Sequence, residues 1–451
     1  MTSSNAPHIL FINPWIHDFA AFDFWARPMG LMQLISIVRS QGMTVSFVDC
    51  LNRFHPNAVS LPSKQYRYGR GAYLKTEIPK PKKLKPFPRK YSRYGILPEW
   101  FINDLKKMQA PNIIMVTSIM TYWYPGVQET IDAIRSVFKD TPIVLGGIYV
   151  SLCLSHAKKH MDADLFEPGL GECSVLNIIT QLTGFQSQSK VEINQLDTFP
   201  YPAWDLQSHI PFIPLLTTRG CPFRCDYCAS GFLEKQIRRR SIDHVCDEID
   251  YWYQKHGVRD FVFYDDAFLY QSETFAIPLL EKIVKNNSPI RFHTPNAIHI
   301  REISKTVAKL LFEAGFKNLR MGLETMDFNN RKDHKLTFAE FNTAIQNLKQ
   351  AGFQSHELGA YLLIGLPEQK RKTIILSIDC VKESGIQPIL AYYTPIPHTK
   401  LWSKAVESSP FDISLDPLFT NNTLFPCQPD GLNWKELSEY QTRAKSNNYE
   451  R

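Results

Sequence analysis

Three closely spaced cysteines are the strongest sign of chemistry in the sequence. They are Cys221, Cys225 and Cys228, within RGCPFRCDYC at residues 219 to 228. Cysteine thiolates are the usual ligands of iron–sulfur clusters, and a four-iron cluster held by only three of them keeps one iron open to another molecule. Structural zinc usually takes four ligands in two pairs, and no second pair of cysteines follows. The spacing therefore favours a 4Fe-4S cluster over zinc.

The other six cysteines are scattered singly along the 451 residues. An odd total without regular spacing does not predict a disulfide framework, so we expect reduced thiols. No apolar run approaches the roughly 18 residues of a membrane span. The opening residues, MTSSNAPHILFINPW, lack the basic start and the cleavage site of a signal peptide. These features predict a cytoplasmic protein without a membrane span.

The positive net charge of +7 is concentrated in one segment. Residues 64 to 93 hold 11 Lys and Arg residues against one Glu, and they are also rich in proline and aromatic residues. Cationic side chains interspersed with aromatic rings are suited to binding phosphate or nucleic acid. The alternative, which we favour because charge runs are usually only solvated, is an insertion or a strap along the domain surface, at about residues 52 to 100.

The first part of the chain alternates predicted strands and helices. Such alternation predicts an α/β domain with a doubly wound, flavodoxin- or Rossmann-like parallel sheet, in which ligands lie beyond the carboxyl ends of the strands. We expect this domain to span residues 1–182. The predicted strands are HILFIN (8–13), TVSFVD (44–49), NIIMVTS (112–118) and PIVLGG (142–147), with helices over 31–42 and 126–138.

A polar, proline-spaced connector over residues 183–206 predicts a domain boundary. Six strand candidates with helices between them follow, which predicts a partial (β/α)6 barrel over residues 207–400 and a C-terminal extension over 401–451. One helix, over 241–256, begins with a capping Ser241. The strand candidates are FIPLLTT (212–218), DFVFYDD (260–266), IRFHTP (290–295), NLRMGLE (318–324), LGAYLLIG (358–365) and PILAYYT (388–394).

The motif CPFRCDYC resembles the signature of the radical S-adenosylmethionine (radical SAM) superfamily, in which an aromatic residue precedes the last cysteine. The resemblance implies that the three cysteines hold the 4Fe-4S cluster and that SAM binds the open iron, where reduction releases a 5′-deoxyadenosyl radical. It also implies that the backbone of Tyr227 contacts the adenine of SAM. By the same resemblance, Asp265, Glu324 and Gly365, the last within LLIGLPE (362–368), contact SAM.

Several segments before the cysteines resemble the cobalamin-binding domain that precedes the radical domain in one large subgroup of that superfamily. The resemblance implies cobalamin contacts from Met29 and Gly30, from Ser118 and Thr121, and from the pair Gly146 and Gly147. The sequence has no Asp-x-His-x-x-Gly stretch, so the corrin is expected to bind without a protein histidine on cobalt. The alternative is a domain that has kept this fold without the cofactor.

Together these features predict a radical SAM enzyme that transfers a methyl group from cobalamin to an unactivated carbon. Two alternatives stay open: cobalamin-independent radical cyclisation, coupling or rearrangement, and a nucleic-acid or partner-binding protein with a structural cluster. We expect an electron donor such as flavodoxin or ferredoxin as a partner, and we do not expect nucleic acid. The sequence does not identify the substrate.

Overall fold

The computed structural model describes residues 6–58, 67–188, 191–328, 331 and 335–445. The chain divides into two compact units. The first comprises Met1–Ile210 and Asp416–Thr423, and the second comprises Pro211–Leu415 and Leu424–Arg451. No helix among the described residues is long and apolar enough to cross a membrane.

The first unit is built on a five-stranded sheet in the order β3-β1-β6-β7-β8, with every neighbouring pair parallel. This confirms the predicted doubly wound sheet. The buried strands are runs of apolar, mostly β-branched residues, which suit a sheet covered on both faces. The strands described in this unit are β1 (His8–Asn13), β2 (Ile16–Asp18), β3 (Thr44–Asp49), β4 (Lys75–Glu77), β5 (Ser92–Tyr94), β6 (Ile113–Val116), β7 (Ile143–Gly146) and β8 (Leu165–Glu167).

Helices connect the parallel strands of this sheet. Residue Gly184 ends the last of them in a left-handed conformation, with a φ of 75°, as is common at helix C-termini. The helices described are α1 (Met29–Ser40), α2 (Pro98–Lys106), α3 (Tyr124–Val137), α4 (Ile148–Leu152), α5 (Leu154–His160) and α6 (Gly171–Thr183).

The basic insertion forms local structure of its own. Its strand β5 pairs with β2 on one side and with β4 on the other, which makes a small antiparallel sheet in the order β2-β5-β4. Leu84 and Tyr91 of the insertion are buried, because the apolar residues between the cations pack onto the first unit. The cation Arg93 pairs with Glu129 of α3. Residues 59–66 of this segment lie outside the described residues.

The connector predicted over residues 183–206 packs into the first unit. Its Trp204 is fully buried, the amide of Ala203 donates to the carbonyl of Met32 at 3.1 Å, and the Pro200 carbonyl accepts from Gln33 at 2.8 Å. The C-terminal extension predicted over 401–451 contributes residues Asp416–Thr423 to the first unit and the remainder to the second.

The second unit is built on a six-stranded parallel sheet in the order β16-β15-β14-β13-β12-β9. This confirms the predicted partial barrel. All its carboxyl ends face one edge, where the sequence places its polar and cysteine-bearing loops. The strands described are β9 (Ile213–Leu215), β10 (Thr218–Arg219), β11 (Arg238–Arg239), β12 (Asp260–Phe263), β13 (Arg291–Ile298), β14 (Phe316–Glu324), β15 (Leu358–Ile364) and β16 (Gln387–Tyr392).

Helix caps in the second unit follow the sequence closely. Ser241 accepts from the amide of His244 and starts α8 where predicted, and Thr337 with Glu340 forms a capping box at the start of α11. The helices described are α7 (Ser230–Leu233), α8 (Ile242–His256), α9 (Ala276–Asn286), α10 (Lys305–Glu313), α11 (Phe338–Ala351), α12 (Arg371–Glu383), α13 (Trp402–Ser408) and α14 (Trp434–Lys445).

Aromatic residues pack the centre of this second sheet. Phe263 lies 5.5 Å from Phe292 and 5.6 Å from Phe316, measured between ring centroids, and all three side chains are buried. This core joins β12, β13 and β14 rigidly, and so fixes the strand ends from which the candidate site is built.

Candidate functional site

The three cysteines lie on the loop between β10 and α7, just past the carboxyl end of β9. Gly220 starts this loop with a φ of 80°, and a Cβ there would lie 2.5 Å from the carbonyl oxygen of Gln236, so only glycine fits. The amide of Cys228 donates to the Cys225 carbonyl at 3.0 Å, which closes a turn. The backbone thus holds the cysteines on one short loop.

The donor set on this loop fits an iron–sulfur cluster. None of the three thiols is in a disulfide; Cys221 and Cys225 are half-buried and Cys228 is exposed. Burial raises the pKa of Cys221 to about 11 and also raises the pKa of Cys225, so the chain alone holds both as neutral thiols at pH 7. Iron would favour the thiolates by binding them. As the side chains stand, no three Cys, His, Asp or Glu among the described residues form a group that could hold a metal ion.

Asp265 follows β12 and is engaged by the end of the neighbouring strand. Its Oδ1 accepts from the Thr217 hydroxyl at 2.5 Å and from the Thr218 amide at 2.6 Å, and the Thr217 amide lies 3.2 Å from both carboxylate oxygens. The side chain is buried, and burial raises its pKa to about 6. These bonds tie Asp265 to the segment that enters the cysteine loop. Its predicted contact with SAM stays a prediction.

Glu324 is the centre of a polar cluster at the end of β14. It has a φ of 62° beside an irregularity in the pairing of β14 with β15, which re-aims its side chain. Its Oε1 accepts from the Tyr227 hydroxyl at 3.0 Å and from Lys335 at 3.3 Å, and its Oε2 accepts from Arg331 at 2.9 Å. The structure therefore brings two of the predicted SAM residues, Tyr227 and Glu324, together.

Gly365 follows β15 with a φ of 93°, and its glycine identity has a packing cause. A Cβ there would lie 2.6 Å from the ring of Phe425. Its amide donates to Oε1 of Gln369 at 2.7 Å, which holds the turn after the strand. The predicted contact with SAM stays a prediction.

Sequence reasoning missed three residues at this edge. Arg331 and Lys335 follow β14 in a charged stretch with no periodic signal. His299 follows β13, and its ring stacks on Phe223 of the cysteine loop at 4.3 Å. Burial lowers the pKa of His299 to about 4, and its buried Nδ1 has no hydrogen-bond partner among the described residues.

Ser118 and the pair Gly146 and Gly147 meet at the carboxyl edge of the first sheet. The Ser118 hydroxyl donates to the Gly146 carbonyl at 2.6 Å, and the amide of Ile148 donates to the Ser118 carbonyl at 2.8 Å. Gly147 has a φ of 97°, and a Cβ there would lie 2.2 Å from the Ser118 carbonyl oxygen. Glycine is thus required by the packing of the two loops, whether or not a ligand approaches.

The remaining predicted cobalamin residues differ in how exposed they are and in how closely other residues pack against them. Met29 and Gly30 begin α1, where Gly30 is exposed and a Cβ on it would meet no atom within 4 Å. Thr121 is buried, and its hydroxyl is 3.2 Å from that of Thr420. Two large apolar side chains stay exposed nearby in sequence, Met120 at 41% and Ile148 at 40%, directly after the ends of β6 and β7.

A cavity of about 420 Å³ opens at the carboxyl end of β3 in the first unit. Its volume lies within the range of small-molecule sites. Burial and the charges of Arg53 and Arg27 lower the pKa of His209, whose ring packs 4.4 Å from that of Phe54. None of the six residues predicted to contact the corrin lines it. The lining includes Phe47, Asp49, Arg53, Phe54, Leu206 and His209.

Residues 215–379 match the model of the radical SAM superfamily. The chain contains a radical SAM domain. The matched segment begins at the end of β9, includes the cysteine loop and runs into α12, so it covers every predicted SAM residue.

Two curated relatives extend beyond the radical SAM domain. An uncharacterised methyltransferase of Pyrococcus horikoshii is 23% identical over 70% of this chain and 74% of its own length. An anaerobic magnesium-protoporphyrin IX monomethyl ester cyclase of Rubrivivax gelatinosus is 23% identical over 67% of this chain and 61% of its own length.

A solved structure shares the fold of both units. It is the radical S-adenosylmethionine methyltransferase TsrM of Kitasatospora setae, with cobalamin and a 4Fe-4S cluster bound. It is 15% identical, with a TM-score of 0.66, over 89% of this chain and 75% of TsrM. At that identity the likeness shows the fold, in which a radical SAM domain accompanies a doubly wound sheet.

Proposed function

We propose that this chain is a radical SAM enzyme that holds a 4Fe-4S cluster on Cys221, Cys225 and Cys228 and cleaves SAM reductively. We further propose that its first unit binds cobalamin and that the enzyme transfers a methyl group to an unactivated carbon. One observation carries the proposal: the three thiols share one loop at the carboxyl end of β9, within the residues that match the radical SAM superfamily. When bound, the cluster and SAM supply a radical that removes hydrogen from the substrate, and cobalamin supplies the methyl group.

In the second unit, the chain's own residues position these groups. Asp265 holds Thr217 and Thr218, and through them the start of the cysteine loop. Glu324 offers a carboxylate to the hydrogen-bond donors of SAM. Arg331 and Lys335 hold this carboxylate in place through their ion pairs with it.

In the first unit, we place the corrin against the carboxyl edge of the sheet. Exposed Met120 and Ile148 offer apolar contact there, and Gly30 leaves open space at the start of α1. Such an edge is where doubly wound sheets bind ligands. The likeness to TsrM, which is described with cobalamin bound, supports the proposal that this chain binds the cofactor.

The similarity to the magnesium-protoporphyrin ester cyclase favours a second candidate, radical cyclisation. We expect a flavodoxin or a ferredoxin as the electron donor in either case, since reductive cleavage of SAM requires a low-potential electron. That requirement and the expected reduced thiols support our proposal of a cytoplasmic enzyme.

Corrin uptake tests the methyl-transfer proposal. Protein purified anaerobically and incubated with hydroxocobalamin should retain about one corrin per chain after desalting, since one doubly wound unit offers one such edge. Gly30→Leu should reduce this uptake without loss of folding, because no atom of the described residues lies within 4 Å of a Cβ at this position. Retention of no corrin by protein with a full cluster would overturn methyl transfer from cobalamin and leave radical cyclisation as the better account.

Whether a protein histidine binds cobalt can be tested separately. The absence of an Asp-x-His-x-x-Gly stretch predicts that no protein imidazole binds cobalt. The electron paramagnetic resonance (EPR) spectrum of bound cob(II)alamin should therefore be unchanged when the protein is labelled with ¹⁵N-histidine. A label-dependent change in nitrogen splitting would contradict this.

A further inference from the structure

The cavity at the carboxyl end of β3 is lined by a residue with an unused hydrogen-bond acceptor. Every residue that lines this cavity of about 420 Å³ belongs to the first unit. Gln207 is one of them, and its Oε1 is buried without a hydrogen-bond partner among the described residues. A buried acceptor that lacks a donor destabilises a fold, so native proteins keep few of them. A donor carried by a ligand would complete this one.

Asp49 supplies a second acceptor to the same cavity. It is the last residue of β3, and it lines the cavity as Gln207 does. Its Oδ1 accepts from the side-chain amide of Asn13 at 2.8 Å and from the backbone amide of Leu51 at 2.9 Å. Both of these bonds end on Oδ1, and a carboxylate has acceptor sites on each oxygen. Oδ2 of Asp49 therefore keeps its capacity to accept from a ligand.

The place of Asp49 in the sheet is one at which doubly wound folds recognise a ribose. Strand β3 follows α1 and pairs in parallel with β1. In dinucleotide-binding sheets an acidic residue beyond the first βα turn accepts a hydrogen bond from a ribose hydroxyl. Those sheets also have a G-x-G-x-x-G turn for the phosphates, and the sequence after β1 has no such stretch. This combination favours a nucleoside over a phosphorylated nucleotide.

Aromatic side chains in the cavity suit the base of a nucleoside. The rings of Phe54 and His209 lie 4.4 Å apart at an angle of 58°, and the guanidinium of Arg53 lies 5.0 Å from the Phe54 ring. Phe47 lines the cavity as well. Bases pack readily against such rings, and the volume is within the range of small-molecule sites.

We propose that this cavity binds a nucleoside whose base carries an amino group. The amino group donates to Oε1 of Gln207, a ribose hydroxyl donates to Oδ2 of Asp49, and the base packs against Phe54. Binding makes and breaks no covalent bond. The site is independent of the proposed function, because it requires neither the cluster nor a corrin.

Isothermal titration calorimetry with adenosine tests this site in the full-length, anaerobically reconstituted protein. The wild type should bind adenosine in the absence of SAM. Gln207→Leu should weaken the binding by about fivefold, which corresponds to the loss of one hydrogen bond of about 1 kcal/mol. 2′,3′-Dideoxyadenosine, which has no ribose hydroxyl to donate to Asp49, should bind the wild type more weakly by a similar factor.

A matched variant separates the cavity from a general effect of replacing glutamine. Gln128→Leu changes an exposed glutamine on α3 and should bind adenosine as the wild type does. Gln207→Leu should fold, because it removes a buried acceptor that has no partner among the described residues. Thermal unfolding checks this. If Gln207→Leu does not fold, the comparison of adenosine with 2′,3′-dideoxyadenosine on the wild type decides.

Three results would overturn the nucleoside site. The first is a wild type that binds no adenosine, or a folded Gln207→Leu that binds it equally well. The second is binding that disappears when Cys221, Cys225 and Cys228 are changed to Ala but persists in Gln207→Leu, which would assign the adenosine to the SAM site. The third is displacement of adenosine by hydroxocobalamin, which would make the cavity part of a corrin site.

Discussion

The Tyr227 hydroxyl donates a hydrogen bond of 3.0 Å to Oε1 of Glu324, and so ties the cysteine loop to the end of β14. Burial and the nearby Glu324 carboxylate raise the pKa of Tyr227 well above its usual range, so the phenol stays protonated and keeps donating. The residue immediately before the last cysteine thus has a side-chain role in addition to its predicted backbone role. The contact fixes two loops that meet at the candidate site.

Glu324→Gln should destabilise the second unit even without cofactors. The change removes the charge of Glu324 from its buried ion pairs with Arg331 and Lys335, and breaking a buried ion pair costs about 3 kcal/mol. Chemical denaturation of the apoprotein would measure it. Glu313→Gln, which removes one partner of an exposed pair 3.7 Å apart, should change stability by less than about 0.5 kcal/mol. Equal stability of the two variants would contradict the role of Glu324 as the centre of the cluster.

Replacing Gly147 with alanine should lower the stability of the protein, whereas replacing Gly30 with alanine should not. Gly147→Ala forces a Cβ to within 2.2 Å of the Ser118 carbonyl, so it should cost about 2 kcal/mol or more. Gly30→Ala, near the start of α1, meets no atom within 4 Å and should be neutral or stabilising by up to about 1 kcal/mol. Thermal unfolding of the two apoproteins would compare them. If Gly147→Ala is as stable as the wild type, the close approach to Ser118 does not constrain this turn.

Asp265 should make the second unit less stable as the pH rises from about 4 to about 6. Burial raises its folded pKa to about 6, above its ordinary value of 3.8, so folding favours the protonated form. That contribution is present below the unfolded pKa and is lost as the pH rises through the folded pKa, about 3 kcal/mol for a shift of about two units.

Asp265→Asn should flatten this pH dependence while keeping an oxygen for the Thr217 and Thr218 donors. The difference between variant and wild type isolates Asp265 from other groups that titrate there. One of these is His156, whose pKa burial lowers to about 4. Denaturation midpoints of the two apoproteins between pH 4 and pH 7 provide the comparison, and parallel profiles would show that Asp265 does not titrate as described.

The sequence was sufficient to predict the two parallel sheets because most of their strands are continuous runs of apolar residues. HILFIN, for example, forms a buried strand with the predicted bounds, His8–Asn13. The small antiparallel sheet of the basic insertion was missed because strands such as KTE (75–77) are short and polar. The sheet also depends on the pairing of β5 with β2, which lies far away in sequence.

The sequence predicted the part of the candidate site whose residues are close neighbours in the chain. It did not predict the charged residues that only the fold brings together. Cys221, Cys225 and Cys228 stand out in the sequence as neighbours. Lys335 and Arg331 contact Glu324 beside an irregularity in the pairing of β14 with β15, which no pattern in the sequence indicates. The roles of Gly147 and Asp265 also required the structure, since their partners, Ser118 and Thr217, lie on neighbouring strands.

Iron content and SAM cleavage, measured together on the cysteine variants, test the central claim most directly. Anaerobically reconstituted wild-type protein should hold about four irons and four sulfides per chain. With SAM and dithionite it should release 5′-deoxyadenosine and methionine. The triple variant with Cys221, Cys225 and Cys228 changed to Ala should lose both properties, whereas Cys246→Ala and Cys427→Ala, at buried positions elsewhere, should keep them. A triple variant that retains its full iron, or a wild-type protein with a full cluster that releases no 5′-deoxyadenosine, would contradict the account.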